Sequence, residues 1–528
     1  MHWLFFFFFV DYYTYSNISP TVEIKEILNK GSSISQTNNE IYDTYKWDKQ
    51  DKQLLKDFLA NMDINKLFQY RYFTAHDWVK EQKYQDFVGK MIRSLTIPYH
   101  VPNYPKLGKV TERFLGSTLF TISPQVVLLY FFNSQVFTII NLLLMYSLGF
   151  YGCMLLKKRY KLELLSFTFL FLLFNFNGYW VSKVSAYGPA MMGYFLMPFV
   201  IYAILRIPEL DRSDIKKQQR WGILLGFFTA AILIQGSLHL YVEIITFIII
   251  WGIVNFRYWP AILTSLVVSF SLGMVRLLPS AISYGVAPNP HALIFRGYSH
   301  PQHIIDAFVD LRTHLDAPIF GWWESSLYVS LIGLFLLVYF GMWGPFLKLE
   351  WSKFNGWKSL ALPCFIILII SFRRFKFFLI PNWIPLLNAE SITTRYMIIP
   401  LVIVTIIAAI NFQGFMDRYW KWKRVRYLLF VSIITLALFL LNHSRLWRMH
   451  KVQNEVFWYQ AWNEGDRIAY EDLVDIQLYV NNNMNDTVYI AAFWIGLSVS
   501  VLSFFLAVWW LLRKPSILSK RITLENLE

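Results

Sequence analysis

The stretch YRYFTAHDWVKEQKYQDFVGKMIRSLTIPYHVPN, residues 70–103, sets an imidazole, a carboxylate and an indole side by side at His76, Asp77 and Trp78. A carboxylate so placed can take a proton from an attacking hydroxyl. Six further ionisable residues sit within or at the ends of very apolar stretches. They are Lys183 in WVSKVSAYGP, His239 and Glu243 in QGSLHLYVEII, Arg276 in GMVRLLPS, Glu324 in GWWESSLYVSLIG and Arg395 in AESITTRYMIIP. Ionisable groups in such stretches are costly to bury, which makes each a functional candidate. His239 and Glu243 are four residues apart and so share one helix face. Cations gathered near one carboxylate suit a particular chemistry. A departing phosphate is a stabilised anion, so cations replace the general acid and a single carboxylate base suffices. Hydrolysis of an ordinary glycoside usually needs two carboxylates, because the leaving alcohol must be protonated.

Each residue also has a plainer reading. Asp77 stands where a helix begins, and a carboxylate there favours the helix dipole as an N-cap. The other six, taken singly, can be snorkelling or ion-paired side chains. No GxxxxGK[ST] phosphate loop, no GxGxxG after a strand and no HExxH or CxxC spacing occurs. No metal site or other cofactor is therefore indicated, although a divalent metal is compatible with the chemistry.

The elements that must position these residues follow from composition. Of 528 residues, 56% are hydrophobic, 19% aromatic and only 16% charged, with a mean hydropathy of +0.39. Soluble domains carry about 25% charge. Apolar segments lie near 134–156, 162–180, 190–206, 221–236, 238–256, 260–278, 326–343, 358–372, 394–412, 426–442 and 488–511. About 20 apolar residues cross the hydrocarbon as a helix, and helices satisfy their own backbone there. The expected class is an all-α polytopic membrane protein.

The net charge of +15 fits the Lys and Arg excess of cytoplasmic loops, and no basic domain for nucleic acid is present. The basic groups are Lys157-Lys158-Arg159, Lys216-Lys217 with Arg220, Arg257, Lys353 and Lys358, Lys421 to Arg426, and Arg513-Lys514 with Lys520-Arg521. Threading the chain so that each span reverses direction brings every group to one side. All six intramembrane ionisable residues then fall at the opposite, outer side. Cys153 and Cys364 lie inside apolar runs and read as packing residues.

The opening MHWLFFFFFV, residues 1–10, reads as a short or truncated first transmembrane helix rather than a signal peptide. Counting it gives about 12 spans with both termini cytoplasmic. An outer loop, 11–133, is followed by transmembrane helices over 134–278, an outer loop at 279–325, transmembrane helices over 326–442, an outer segment at 443–487, a last helix at 488–511 and a cytoplasmic tail, 512–528. In the first loop, Tyr84, Phe87, Val88, Met91, Ile92 and Leu95 recur at three- and four-residue spacing, predicting an amphipathic helix. STLFTISPQVVLLYFF, 117–132, reads as a segment lying in the outer interface or re-entering, with Pro124 opposing a straight span.

The order HDW, helix, SLTIPYHVPN, FLGSTLFTISPQVVLLYF and GFYGCMLLKKRY resembles the first outer loop and second span of GT-C glycosyltransferases, the bacterial YfhO-like membrane proteins above all. IQGSLHLYVEI, VRLLPSAISYG, WWESSLYVSLIGL and SITTRYMIIPLVIV are similar to later segments of that group, so the likeness covers most of 70–415. It implies a GT-C-like bundle that moves a sugar from a polyprenyl-phosphate donor to an envelope glycan, lipid or protein acceptor at the outer face of the cell membrane. By the same likeness Asp77 would be the catalytic base, with Arg395, Arg276 and Lys183 on the donor phosphate. Glu324, His239 and Glu243 would line the pocket, and His76 would tune Asp77 or meet the acceptor. About 65 residues separate the first helix from Asp77, more than the group's usual gap, so Asp11 is a rival base. A membrane transporter or lipid-linked-sugar flippase is the alternative; it would carry its functional charges deeper in the spans.

Overall fold

The computed structural model describes residues 77–99, 113–116, 123–186, 189–211, 214–284, 297–311, 322–352, 357–372, 375, 392–449 and 486–513. Residues 1–10, with the expected first helix, and His76 and Asp11 lie outside the described residues. Within them the protein is helical, with an isolated parallel bridge between Tyr298 and Phe372.

Helices are α1 (Asp77–Arg93), α2 (Ser134–Tyr160), α3 (Leu164–Phe176), α4 (Gly178–Ala186), α5 (Met197–Arg206), α6 (Ile215–Ile234), α7 (Leu238–Val254) and α8 (Trp259–Tyr284). They continue as α9 (Pro301–Val309), α10 (Ser330–Phe346), α11 (Trp357–Ile370), α12 (Ile398–Tyr419), α13 (Lys423–Met449) and α14 (Thr487–Leu512). Each of the eleven apolar sequence segments coincides with helix. Among the described residues six helices are long and apolar enough to cross a membrane, or seven if the bent pair α3–α4 forms one broken span. The bend of 41° falls at Asn177. There the Asn177 side chain donates to the Leu173 and Phe174 carbonyls and the chain can turn without orphaning them. Helices α7, α10 and α11 are apolar but shorter.

Small residues let the backbones approach. Gly222 and Gly226, four apart on α6, face Ala261 and Ser265 on α8, so closely that a Cβ on either would sit 2.3 Å and 2.5 Å from their carbonyl oxygens. This is the small-xxx-small packing that membrane helices use in place of a hydrophobic driving force. On another side of α8, Gly496 of α14 meets the Met274 carbonyl, and Ser500 one turn on accepts from the Val275 amide at 3.0 Å. Helix α8 is thus clamped between α6 and α14. Inside α10, residues Leu337–Trp343 form a π-helical turn; the carbonyl of Phe340 accepts from Asn411 of α12 at 2.9 Å.

Polar contacts sort into two ends. At the basic end Arg159, Tyr160 and Arg206 converge on Glu209, Asn255 donates to the Ser359 carbonyl, Arg418 pairs with Glu350 and Arg220 reaches the Arg513 carbonyl. At the other end Arg113 forks onto Asp486 at 2.8 Å and 3.0 Å and also donates to the Ile282 carbonyl, tying the first loop to α14 and α8.

The amphipathic helix is present as α1. Phe87 and Met91 are buried against Phe114, Val275, Tyr489 and Phe493, while Val88 and Ile92 are half-buried. The stripe stops short of Leu95, which is 91% exposed. The helix closes at Arg93 and Leu95 takes a left-handed φ of 53°, which turns its side chain away from the packed face. Polar bonds fasten α1 to the bundle: Thr138 donates to Gln85 at 2.8 Å, the Ser134 amide to Asp86 at 3.3 Å, and Arg93 to the Leu129 carbonyl at 3.0 Å. Leu129 belongs to a 3-10 helix, Pro124–Tyr130, within the segment expected to lie in the interface. Proline at its first position supplies the φ that a helix start needs and lacks only a donor the start cannot use.

Candidate functional site

Three segments far apart in sequence deliver one charge each to a single point. Helix α4 carries Lys183 in its last turn, a 3-10 turn at Trp322–Glu324 carries Glu324, and a 3-10 helix at Thr393–Met397, leading into α12, carries Arg395. Local chemistry explains the placement. The turn holding Glu324 does not run on as helix, because the chain after it bonds instead to the end of α9, through Leu327 to the Ala307 carbonyl and Val329 to the Phe308 carbonyl, each at 2.9 Å. The Gly178 amide donates to the Tyr328 carbonyl at 2.8 Å, possible because glycine presents no Cβ where the Tyr328 amide would be 2.2 Å away. That bond sets the start of α4 beside the Glu324 turn, and Lys183 lies one and a half turns further along.

The geometry is that of an ion triad. Arg395 grips Glu324 with both edges of its fork, Nε to Oε2 at 2.8 Å and an Nη to Oε1 at 2.6 Å, and the Lys183 ammonium bonds the same Oε2. The Thr394 hydroxyl donates to the Glu324 carbonyl at 2.6 Å, fixing the backbone beneath the carboxylate. Two-point arginine recognition is among the stronger polar contacts a protein makes. All three residues are enclosed: Lys183 is 0% exposed, Arg395 1% and Glu324 5%. Burial alone would push the Glu324 carboxyl up; the charges of Arg395 and Lys183 beside it override that and hold it well below the usual carboxylate range.

Glu243, fully buried on α7, is within electrostatic range of Lys183, and α7 packs against the 393–397 segment. Its helix neighbour His239 is half-buried one turn earlier. Of the six intramembrane candidates, Lys183, Glu324 and Arg395 therefore meet directly and Glu243 adjoins them. Arg276 is buried two turns before the end of α8 and makes no bond to Glu324. Asp77 opens α1, and its side chain lies outside the described residues.

Charge counting along the sequence passed over a second polar group. Gln125, from the 3-10 segment, donates to Asn141 of α2 at 3.0 Å and to Gln235, which caps α6, at 2.5 Å; Gln235 reaches Asn141 at 3.4 Å. Neutral carboxamides inside apolar helices were the available signal. A third group was missed because the sequence reading ended the span at 442, whereas α13 runs on to Met449: the His443 ring stacks on Tyr328 at 4.1 Å while His443 Nε2 accepts from Trp447 at 3.0 Å. Among the described residues no cluster of three or more His, Cys, Asp or Glu could hold a metal ion. The arrangement as a whole can hold an anion against two cations, with hydrogen-bonding amides at the same end of the bundle.

No protein-family model, curated protein or solved structure matches the chain.

Proposed function

We propose that this chain is a GT-C-type membrane glycosyltransferase of about 12 spans, in the cell membrane with both termini cytoplasmic, moving a sugar from a polyprenyl-phosphate donor to an acceptor at the outer face. The observation that carries the reading is the pair of cations, Lys183 and Arg395, gathered around one carboxylate at the end of the bundle remote from the basic loops. The excess of Lys and Arg on the other end supports its being cytoplasmic. The docking of α1, which Asp77 opens, onto α2 at the same end as the cations supports Asp77 as the base.

In the proposed reaction the acceptor hydroxyl gives its proton to Asp77 while its oxygen bonds to the sugar's anomeric carbon. The bond from that carbon to the phosphate oxygen breaks, and polyprenyl phosphate leaves with the electron pair. Lys183 and Arg395 neutralise the charge that develops on the phosphate. Envelope glycan, lipid and protein all remain acceptors of the right chemistry.

The test uses protein in nanodiscs with a panel of radiolabelled polyprenyl-phosphate sugars and crude cell-envelope acceptor. Wild type is compared with Asp77→Asn and Asp11→Asn. Transfer lost only with Asp77→Asn supports the reading, and loss only with Asp11→Asn moves the base to Asp11. Transfer from no donor refutes the enzyme. The transporter or flippase reading draws on the complete burial of Glu243 within a helix. It predicts that Asp77→Asn is tolerated and Glu243→Gln is not.

A further inference from the structure

Lys183 and Arg395 are the cations assigned above to a donor phosphate, yet in this structure both are bonded to Glu324. The carboxylate spans the two as a phosphate would. Its Oε2 takes Lys183 Nζ and Arg395 Nε together, and its Oε1 takes an Arg395 Nη. A planar carboxylate and a phosphate face present arginine with the same two-oxygen edge. The enclosure of the triad leaves no room for both anions on the same cations: Lys183 and Arg395 are 0% and 1% exposed.

We infer that Glu324 is a resident counter-ion that a phosphate-bearing headgroup displaces, so that the donor site is held shut by its own carboxylate until phosphate takes its place. The inference rests on the reading of Lys183 and Arg395 as phosphate ligands. Two features fit exchange better than a permanent bridge. First, the Glu324 backbone is pinned independently by Thr394 and by the Trp322 carbonyl, which accepts from the Ser325 and Ser326 amides. The side chain can therefore leave through its own torsions without moving the turn. Second, both cations stand on continuous helical elements, so the site they form persists when Glu324 swings away. A buried pair of cations without any anion would be severely destabilising, and a built-in carboxylate removes that cost between turnovers.

The consequence is a competition that substitution can read. Binding of radiolabelled farnesyl phosphate to full-length protein is measured in detergent, with inorganic phosphate as competitor, for wild type and Glu324→Gln. The expected result is roughly 10- to 100-fold tighter farnesyl phosphate binding by Glu324→Gln, the factor for removing competing charge-assisted hydrogen bonds. Displacement by millimolar inorganic phosphate identifies free phosphate as an equal ligand and still supports the exchange; resistance to it assigns the site to the lipid. Size-exclusion and thermal melts verify folding. Should Glu324→Gln fail to fold, the same comparison is made between Lys183→Met and Lys183→Met/Glu324→Gln, where fewer unpaired cations remain, and the double variant is expected to bind tighter. If wild type binds farnesyl phosphate and the folded Glu324 variant binds equally or more weakly, Glu324 is a fixed structural bridge and the inference falls while the phosphate site stands. If no folded protein binds it at all, the phosphate site falls as well.

Discussion

Replacing Gly222 by alanine should loosen the seam between α6 and α8. The new methyl would stand 2.3 Å from the Ala261 carbonyl oxygen, where ordinary contact begins at 3.4 Å, so α6 must withdraw by about 1.1 Å (3.4 − 2.3). The obstacle is helix backbone, which cannot rotate aside as a side-chain tip can. Overpacking of this kind costs about 1–3 kcal/mol. Alanine also recovers about 1 kcal/mol of helix propensity relative to glycine. The net expectation is a loss of about 0–2 kcal/mol. Gly226→Ala asks for 0.9 Å (3.4 − 2.5) against the Ser265 carbonyl, nearly the same withdrawal. One displacement therefore relieves both clashes, and the double variant should cost well below the sum of the singles. The assay is equilibrium unfolding in mixed micelles, with Gly333→Ala as control, because its methyl would meet side-chain atoms only, of Leu436 at 3.1 Å and Val329 at 3.2 Å, and no backbone. A Gly222→Ala protein more stable than wild type, or a double variant with fully additive loss, would refute the reasoning.

Other outcomes follow from the ion triad and the amide cluster. Arg395→Met should cost about 3–5 kcal/mol in the same unfolding assay, since it strands Glu324 in a dry site with one partner, whereas Arg445→Met, at an exposed position, should be close to neutral. Glu324 titrates below its unfolded value, so its stabilising effect is complete above about pH 4.3 and is lost only as pH falls through the lower folded value. In wild type the contribution of the Glu324 carboxylate should therefore survive acidification from pH 8 to pH 5 and be lost only in more acid buffer, which unfolding of the wild type across that range reads. Gln125→Leu should leave the helices intact while raising hydrogen exchange across residues 124–130, because it removes the bonds to Asn141 and Gln235 that hold that segment.

Much of this architecture was legible because hydropathy and charge act locally. Apolar runs bounded by basic residues had to become helices, and the convergence of Arg159 and Arg206 on Glu209 joins two of the basic turns. Lys183, Glu324 and Arg395 were legible singly as charges in costly places. Their meeting was not, because it depends on Gly178 bonding to Tyr328 and on residues 325–329 pairing with α9, neither of which has a periodic signature. Leu95 fitted the apolar stripe by spacing and left it because the helix ended two residues earlier. The Gly222 and Gly226 spacing was visible in GILLGFF, but nothing in the sequence named α8 as the partner. Gln125, Asn141 and Gln235 carry no charge and so escaped a search built on charge.

The π-helical turn at Leu337–Trp343 gives α10 one residue more than an α-helix would fit into the same rise. Removing a single residue there would let the turn relax to ordinary α geometry without shortening the span much. Both flanks would then keep nearly the azimuth they have now, because the extra residue is already absorbed in the widened turn. What the deletion would remove is the widening itself, and with it the setting of the Phe340 carbonyl that accepts from Asn411 of α12. The extra residue thus acts as a docking device: it offers one main-chain acceptor sideways, so that a neighbouring helix can be held by a polar bond in an otherwise apolar seam.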